Sequence, residues 1–427
     1  MSRIVIVTFG SLGDLHPAIG LARGLQARGH NVAIASSETG RALLDAAGVP
    51  FIPVRPDLSP NDHALIQRIM DGWRGSEVLM REVVYPAVRA MYEDLAAVAP
   101  GIDLFVASEL ACAVAIVGER LRVPWAYFAL SPISFFPTHD PSHLPGPSVL
   151  HWVQSGGPAV NRGVLRLAKI ASYSWWKPVR TLRRELGLSA GKSPLFEGKF
   201  SPHLNLALFS PVLQPPQSDW PPHTVQTGFL LHDDSGSGPH TRTLPAEVEV
   251  FLSEGEPIVF TLGSAAVNLA GDFYAQSAAA AKLLGRRALL LTGNNAPPLN
   301  LPPSILAWDY LPYAHVFPRA AAIVHQGGVG TTAQALRAGR PMLVMPYAHD
   351  QFDNADRVCR LGVARQIARH RYTAKRAAAE LARLLADPRY RETAGRLGGR
   401  VQAESGVTAA CAAIERALER AAPPRFP

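Results

Sequence analysis

One unit in this chain constrains its fold more than any other, and it occurs twice: a short apolar run, a glycine-rich loop, then an amphipathic helix. Arg3–Thr8 (RIVIVT) leads into Gly10-Ser11-Leu12-Gly13, and Ala322–His325 leads into a loop carrying Gly327, Gly328 and Gly330. Continuous β-branched runs without polar alternation mark strands buried on both faces. That means a parallel sheet covered by helices. Val32–Ala35, Leu104–Ala107, Trp125–Leu130, Ile258–Leu262, Ala288–Leu291 and Met342–Met345 extend the pattern. Pro17 is expected to open the first helix, with Ala18, Leu21, Ala22 and Leu25 on one stripe and Gly29 as its stop. His16 is then the expected cap.

The pattern breaks twice. Residues 131–158 hold six prolines and several aromatics, and residues 211–245 hold seven prolines and the run Ser235-Gly236-Ser237-Gly238. The second break is the better linker. The sequence therefore predicts an α/β protein of two doubly wound parallel-sheet domains of similar size. The first spans 1–215, a linker spans 216–245, and the second spans 246–404. A last helix over 405–427 is expected to pack back on the first domain. Ligands of such folds bind beyond the carboxyl ends of the strands, so both glycine loops are expected at one cleft.

Composition narrows the function. The net charge of +8 is no nucleic-acid signal, because 11 Lys/Arg against 6 Asp/Glu in residues 371–427 supply +5 of it, interleaved with Ala and Leu as on a solvated helix. Cys112, Cys359 and Cys411 are too few and too scattered for a disulfide framework or a zinc site, which fits a reducing cytoplasm. The N-terminus reads as a strand rather than a signal peptide, and no apolar run reaches the length of a membrane span. Peripheral contact with a membrane stays open.

Residues 323–355 are the richest in chemistry. After the strand ending at His325, the glycines and Thr331 stand at a helix start, where free N–H groups and the positive dipole end suit a phosphate. An ordinary tight turn with Thr331 as helix cap is the alternative. The next loop, Pro346-Tyr347-Ala348-His349-Asp350-Gln351, should lie beside it on the same sheet edge. A carboxylate next to an amide can bind vicinal sugar hydroxyls. Asp350 as a plain helix cap, supported by Asp353, is equally open.

The segment H-x-G-G-x-G-T-T…G-x-P…P…D-Q-x-x-N-A resembles the donor signature of family 1 glycosyltransferases, which have the GT-B fold. Gly10-Ser11-Leu12-Gly13-Asp14…Pro17 is similar to that family's N-terminal G-S-x-G-D-x-x-P motif. Trp220…Thr227-Gly228-Phe229 and Thr261-Leu262-Gly263-Ser264 extend the resemblance to nearly the whole chain. Within the family, Gly271-Asp272-Phe273-Tyr274 and Ala348–Ala355 resemble most the bacterial branch around the rhamnosyltransferase of rhamnolipid synthesis.

The resemblance implies a hexosyltransferase. It would move rhamnose or glucose from a UDP- or dTDP-sugar to a hydroxyl of a small lipophilic acceptor, with inversion and without metal. By the same resemblance the base stacks on Tyr310, with Trp308 nearby. Gly263, Ser264, Gly328, Gly330 and Thr331 meet the diphosphate, Gln334 the ribose, and Asp350 and Gln351 the sugar. The family's diphosphate-binding His falls on Gln326, with His325 one residue away, and both are candidates. Many members use a His after the first-loop glycine, oriented by a distant Asp. Here those positions hold Asp14 and Ser108, and a carboxylate base needs no partner to fix a tautomer. Asp14 is thus the expected base and His16 the rival.

No Asp-x-Asp metal motif is present, and no cofactor is expected beyond the sugar nucleotide. Phe135, Phe136, Trp152, Trp175 and Trp176 offer apolar surface to a lipid hydroxy acid or an aromatic, polyketide or sterol-like alcohol, unless they are core residues. Three alternatives stand beside this reading. One is a nucleotide-sugar epimerase of the same architecture. The second is an NAD-dependent oxidoreductase, which the missing middle glycine of G-x-G-x-x-G disfavours. The third is a non-catalytic relative.

Overall fold

In a computed structural model, residues 1–57, 62–144, 152–231 and 244–421 are described. The Ser235–Gly238 run lies outside them. Two compact units form. One comprises Met1–Gly10, Asp14–His232 and Ser405–Pro427; the other comprises Ser11–Gly13 and Asp233–Glu404.

The first unit is built on seven strands: β1 (Arg3–Val7), β2 (Asn31–Ser36), β3 (Phe51–Pro53), β4 (Leu104–Ala107), β5 (Trp125–Ala129), β6 (Asn205–Ala207) and β7 (Thr224–Gln226). All pair in parallel, in the order β3-β2-β1-β4-β5-β6-β7. Its core joins Ile4, Ile6, Val32, Ile34, Leu104 and Val106 of the sheet to Ile19, Leu21 and Leu25 of the first helix. Ala410, Cys411 and Ile414 of the helix Gly406–Ala421 belong to the same core. An Arg28–Glu415 ion pair of 2.7 Å holds that helix at the surface. The seventh strand lies within the proline-rich stretch read as a linker.

The second unit has six strands: β8 (Ile258–Thr261), β9 (Ala288–Leu291), β10 (Ile305–Trp308), β11 (Ala322–His325), β12 (Met342–Val344) and β13 (Ala364–Gln366). They too are all parallel, in the order β10-β9-β8-β11-β12-β13. Each sheet is therefore doubly wound, as expected. The direction of winding reverses between β1 and β4 in one and between β8 and β11 in the other. Those switch points are where such sheets bind ligands.

The first helix departs from the reading of the sequence. It runs Leu12–Gln26, with Pro17 inside it rather than at its start. The Ser11 hydroxyl accepts the Gly13 N–H at 3.2 Å, which is the N-cap arrangement, so His16 is no cap. Proline there removes only the N–H that would reach the Gly13 carbonyl, a local loss near the helix start. Asp14 consequently sits in the first helical turn, not upstream in the loop.

Candidate active site

In the first unit, Gly10 ends the β1 segment with φ +123, a conformation L side chains rarely adopt. A β-carbon there would also collide with Asp14 Oδ2. The glycine thus lets the half-buried Asp14 carboxylate fold back over the loop at the carboxyl end of β1. His16, also half-buried, follows on the same helix. Ser108 lies buried at the end of the neighbouring β4, its N–H donating to the Val7 carbonyl at 2.9 Å.

Sequence reasoning passed over a cluster one residue further on. Glu109 accepts from Ser134 Oγ at 2.6 Å and from Lys199 Nζ at 2.5 Å. The buried ammonium lies 5.0 Å from the centre of the Phe136 ring and 5.6 Å from that of Phe200. Burial lowers its pKa and Glu109 counters the shift. No spacing signal links Glu109 with Lys199, which are 90 residues apart. Of the aromatics considered for the acceptor, Phe135 and Trp176 are core residues, whereas Trp152 is 76% exposed.

In the second unit the predicted donor residues gather at the carboxyl ends of β8, β10, β11 and β12. Gly263 (φ +62) opens a short helix, Gly263–Ala266, that carries Ser264 half-buried. A β-carbon on Gly263 would strike Gln326 Nε2, and one on Gly328 would lie 2.7 Å from the same nitrogen. The buried Gln326 amide is therefore wedged between the two glycine turns. Gly328 caps the helix Val329–Arg337 without a side-chain bond, so that helix meets the site with Val329, Gly330 and Thr331 in its first turn. Gln334 follows on the same helix, half-buried. Tyr310 stands just past β10 and is 37% exposed.

His325 behaves differently. It is fully buried, its Nδ1 accepts the Gly327 N–H at 3.0 Å, and its Nε2 meets no hydrogen-bond partner among the described residues. Burial alone pushes its pKa down to about 3. It is a neutral core side chain that shapes the loop, whereas Gln326 reaches the turns.

The two loops are bonded to each other. Asn354 Nδ2 donates to the Gly327 carbonyl and to Asp350 Oδ2, each at 2.9 Å. Asp350 occupies the N-cap position of the helix Gln351–Arg360, yet its side chain makes no cap bond. Gln351 Oε1 accepts the Tyr347 and Ala348 N–H groups at 2.8 and 3.2 Å, which fixes the orientation of its amide and leaves the NH₂ end for other partners. Below the loop, Asp353 and Arg357 form a buried ion pair of 2.8 Å.

A hydroxyl chain leads to Thr331. The Gly263 N–H donates to Thr261 Oγ1 at 3.3 Å, Thr261 Oγ1 and Tyr313 Oη are 2.8 Å apart, and Tyr313 bonds Thr331. Among the described residues no three His, Cys, Asp or Glu side chains gather as a metal site, and no helix is long and apolar enough to cross a membrane. Glu38, just past β2, is ion-paired with Arg41. Cys112 and Cys411 are buried thiols.

Comparison with known proteins identifies the family and the fold. Residues 4–134 match the glycosyltransferase family 28 N-terminal domain, and residues 289–413 match the erythromycin biosynthesis protein CIII-like C-terminal domain. The chain is 32% identical to the O-mycaminosyltylonolide 6-deoxyallosyltransferase of Streptomyces fradiae, over 98% of each protein. It is 28% identical to a sterol 3-beta-glucosyltransferase of Cryptococcus neoformans var. neoformans, over 98% of this chain and 27% of that one. Among solved structures, the kitacinnamycin glycosyltransferase superposes with a TM-score of 0.73 at 24% identity, over 98% of this chain and 99% of that one. The spinosyn rhamnosyltransferase SpnG with thymidine diphosphate gives 0.68 at 19%, over 97% and 100%. The chain is thus a hexosyltransferase of the GT-B fold and belongs to the glycosyltransferases that pair a family 28-like N-terminal domain with an erythromycin CIII-like C-terminal domain.

Proposed function

We propose that the chain transfers a hexose from a nucleoside-diphosphate sugar to a hydroxyl of a lipophilic acceptor by a single inverting displacement. The observation that carries this reading is the interlocked edge of the second sheet, where Gly263, Gln326, Gly328, Thr331, Asp350 and Gln351 are tied into one surface. Gln326, the first-turn N–H groups and the Thr331 and Ser264 hydroxyls take the diphosphate, with Gln326 rather than His325 as its side-chain donor. Tyr310 stacks on the base, Gln334 meets the ribose, and Asp350 with the Gln351 amide holds the sugar hydroxyls.

The first domain supplies the base. Asp14 takes the proton of the acceptor hydroxyl, the oxygen forms a bond to the anomeric carbon, and the bond from that carbon to the diphosphate oxygen breaks. The nucleoside diphosphate leaves with the electron pair, stabilised by the helix N-terminus and hydroxyls without a metal ion. The tylonolide and spinosyn relatives favour a 6-deoxyhexose, rhamnose among them, carried on thymidine diphosphate. The sterol relative keeps glucose in play and supports a polycyclic alcohol beside a lipid hydroxy acid. The epimerase alternative draws no support from these relatives. The reaction is read as a cytoplasmic one.

A screen of UDP- and dTDP-hexoses, read as nucleoside diphosphate release with a macrolide aglycone, a sterol and a lipid hydroxy acid, tests this directly. Release that depends on an acceptor and survives a strong chelator is expected. Free sugar released at the same rate without acceptor would overturn it.

A further inference from the structure

The helix Pro158–Ala171 of the first domain is turned the wrong way for a globular protein. Such helices put their apolar stripe inward. Here only Asn161 is buried, donating to the Thr138 carbonyl at 2.9 Å. Val160, Leu167 and Ile170 share one side of the helix and are 40%, 68% and 66% exposed. Trp152 just before the helix and Tyr173 just after it, also exposed, lengthen the strip.

The neighbouring side of the helix carries Arg162, Arg166 and Lys169. Residues 158–192 hold eight Lys/Arg and one acidic residue, Glu185. That is +7 of the net +8, leaving the rest of the chain at +1. Two of these cations are used internally: Lys169 pairs with Glu197, and Arg183 pairs with Glu119 at 2.6 Å. Arg180 stacks over the Tyr173 and Trp176 rings. Arg162, Arg166, Lys177 and Arg184 meet no acidic partner among the described residues.

An exposed apolar strip flanked by cations suits the interface of a bilayer, with the apolar side chains in the acyl boundary and the cations among anionic headgroups. Charge selects this occupant. A second copy of the chain would set the unpaired Arg162, Arg166, Lys177 and Arg184 against their own copies, and a neutral lipophilic acceptor would leave those cations unmatched. We propose that the Trp152–Arg184 face docks the protein on anionic membrane surface.

Flotation of the full chain with vesicles of phosphatidylcholine alone, or mixed with phosphatidylglycerol, tests this. Binding to the mixed vesicles is expected, falling as salt is raised. Each cation near an anionic surface is worth about fivefold in partition, so Arg162→Glu with Arg166→Glu should weaken binding by about 25-fold or more. Leu167→Glu with Ile170→Glu should abolish it. Both pairs alter exposed positions, so melting temperature and transfer to a water-soluble acceptor should be retained. Equal flotation with both vesicle types, or variants that float like the wild type, would overturn the proposal. So would variants that leave flotation unchanged and convert a dimer to a monomer in sedimentation, since a second copy would then occupy the face.

Discussion

Replacing His325 by Asn distinguishes a core residue from a ligand-binding one. Burial holds the imidazole at about 3 against an ordinary 6.5, so the unfolded chain takes up a proton that the native state refuses. The folded pKa is depressed. Stability is therefore fully present above pH 6.5 and is lost as pH falls toward 3. Linkage with those two values gives a loss of about 2 kcal/mol between about pH 7 and about pH 5, steepening to about 1.4 kcal/mol per unit below that. Asn keeps an acceptor near Nδ1 for the Gly327 N–H but does not titrate. Urea unfolding near each pH reads the effect. The wild type should lose about 2 kcal/mol more than His325→Asn on acidification, and the donor KM of the two proteins at neutral pH should agree. Equal pH dependence would refute a buried, neutral His325. A raised donor KM with unchanged acid stability would place the imidazole at the diphosphate.

Ser264→Ala and Thr331→Ala should each raise the donor KM more than the acceptor KM in steady-state assays; an unchanged donor KM in both would remove the diphosphate from these hydroxyls. Asp350→Asn and Gln351→Ala should weaken sugar-nucleotide binding in calorimetry while leaving the free nucleoside diphosphate nearly as tight, and equal losses would mean damage to the loop as a whole. Asp353→Asn removes one partner of the buried pair with Arg357 and should cost about 3–5 kcal/mol in urea unfolding. A cost under about 1 kcal/mol would show that the pair is not what holds this loop in place.

The readable strands were those buried on both faces. β1, β2, β4, β5, β8, β9, β11 and β12 are near-continuous apolar runs, and all eight stand out in the sequence. The five that do not are the four sheet edges, β3, β7, β10 and β13, together with β6 beside an edge. Each has only three or four residues, and the edges are partly exposed, so they carry little apolar signal. Thr224–Gln226 was further hidden among prolines, which mark turns and sheet edges alike.

The two loops after β11 and β12 were legible because glycine spacing and Asp-Gln stand in one contiguous segment, and the structure joins them through Asn354. The start of the first helix was misread because Pro17 is a stronger punctuator on paper than Ser11, although serine makes the actual cap. The split between His325 and Gln326 was invisible, since alternation along β11 decides which side chain enters the core, and that needs coordinates. The Glu109–Lys199 contact depends wholly on tertiary packing.

Asp14 stands in the first turn of the helix rather than upstream of it, so its replacement acts on both stability and turnover. In the first turn its carboxylate favours the helix dipole, so Asp14→Asn should cost about 0.3–1 kcal/mol of stability. The same change removes the proposed base, and general-base assistance is worth about 10²–10⁴-fold. Turnover of a folded Asp14→Asn protein under saturating donor and acceptor is the most direct measurement. A fall of about 10²–10⁴-fold with unchanged donor affinity is predicted. Full turnover in that protein would contradict the assignment and move the base to His16.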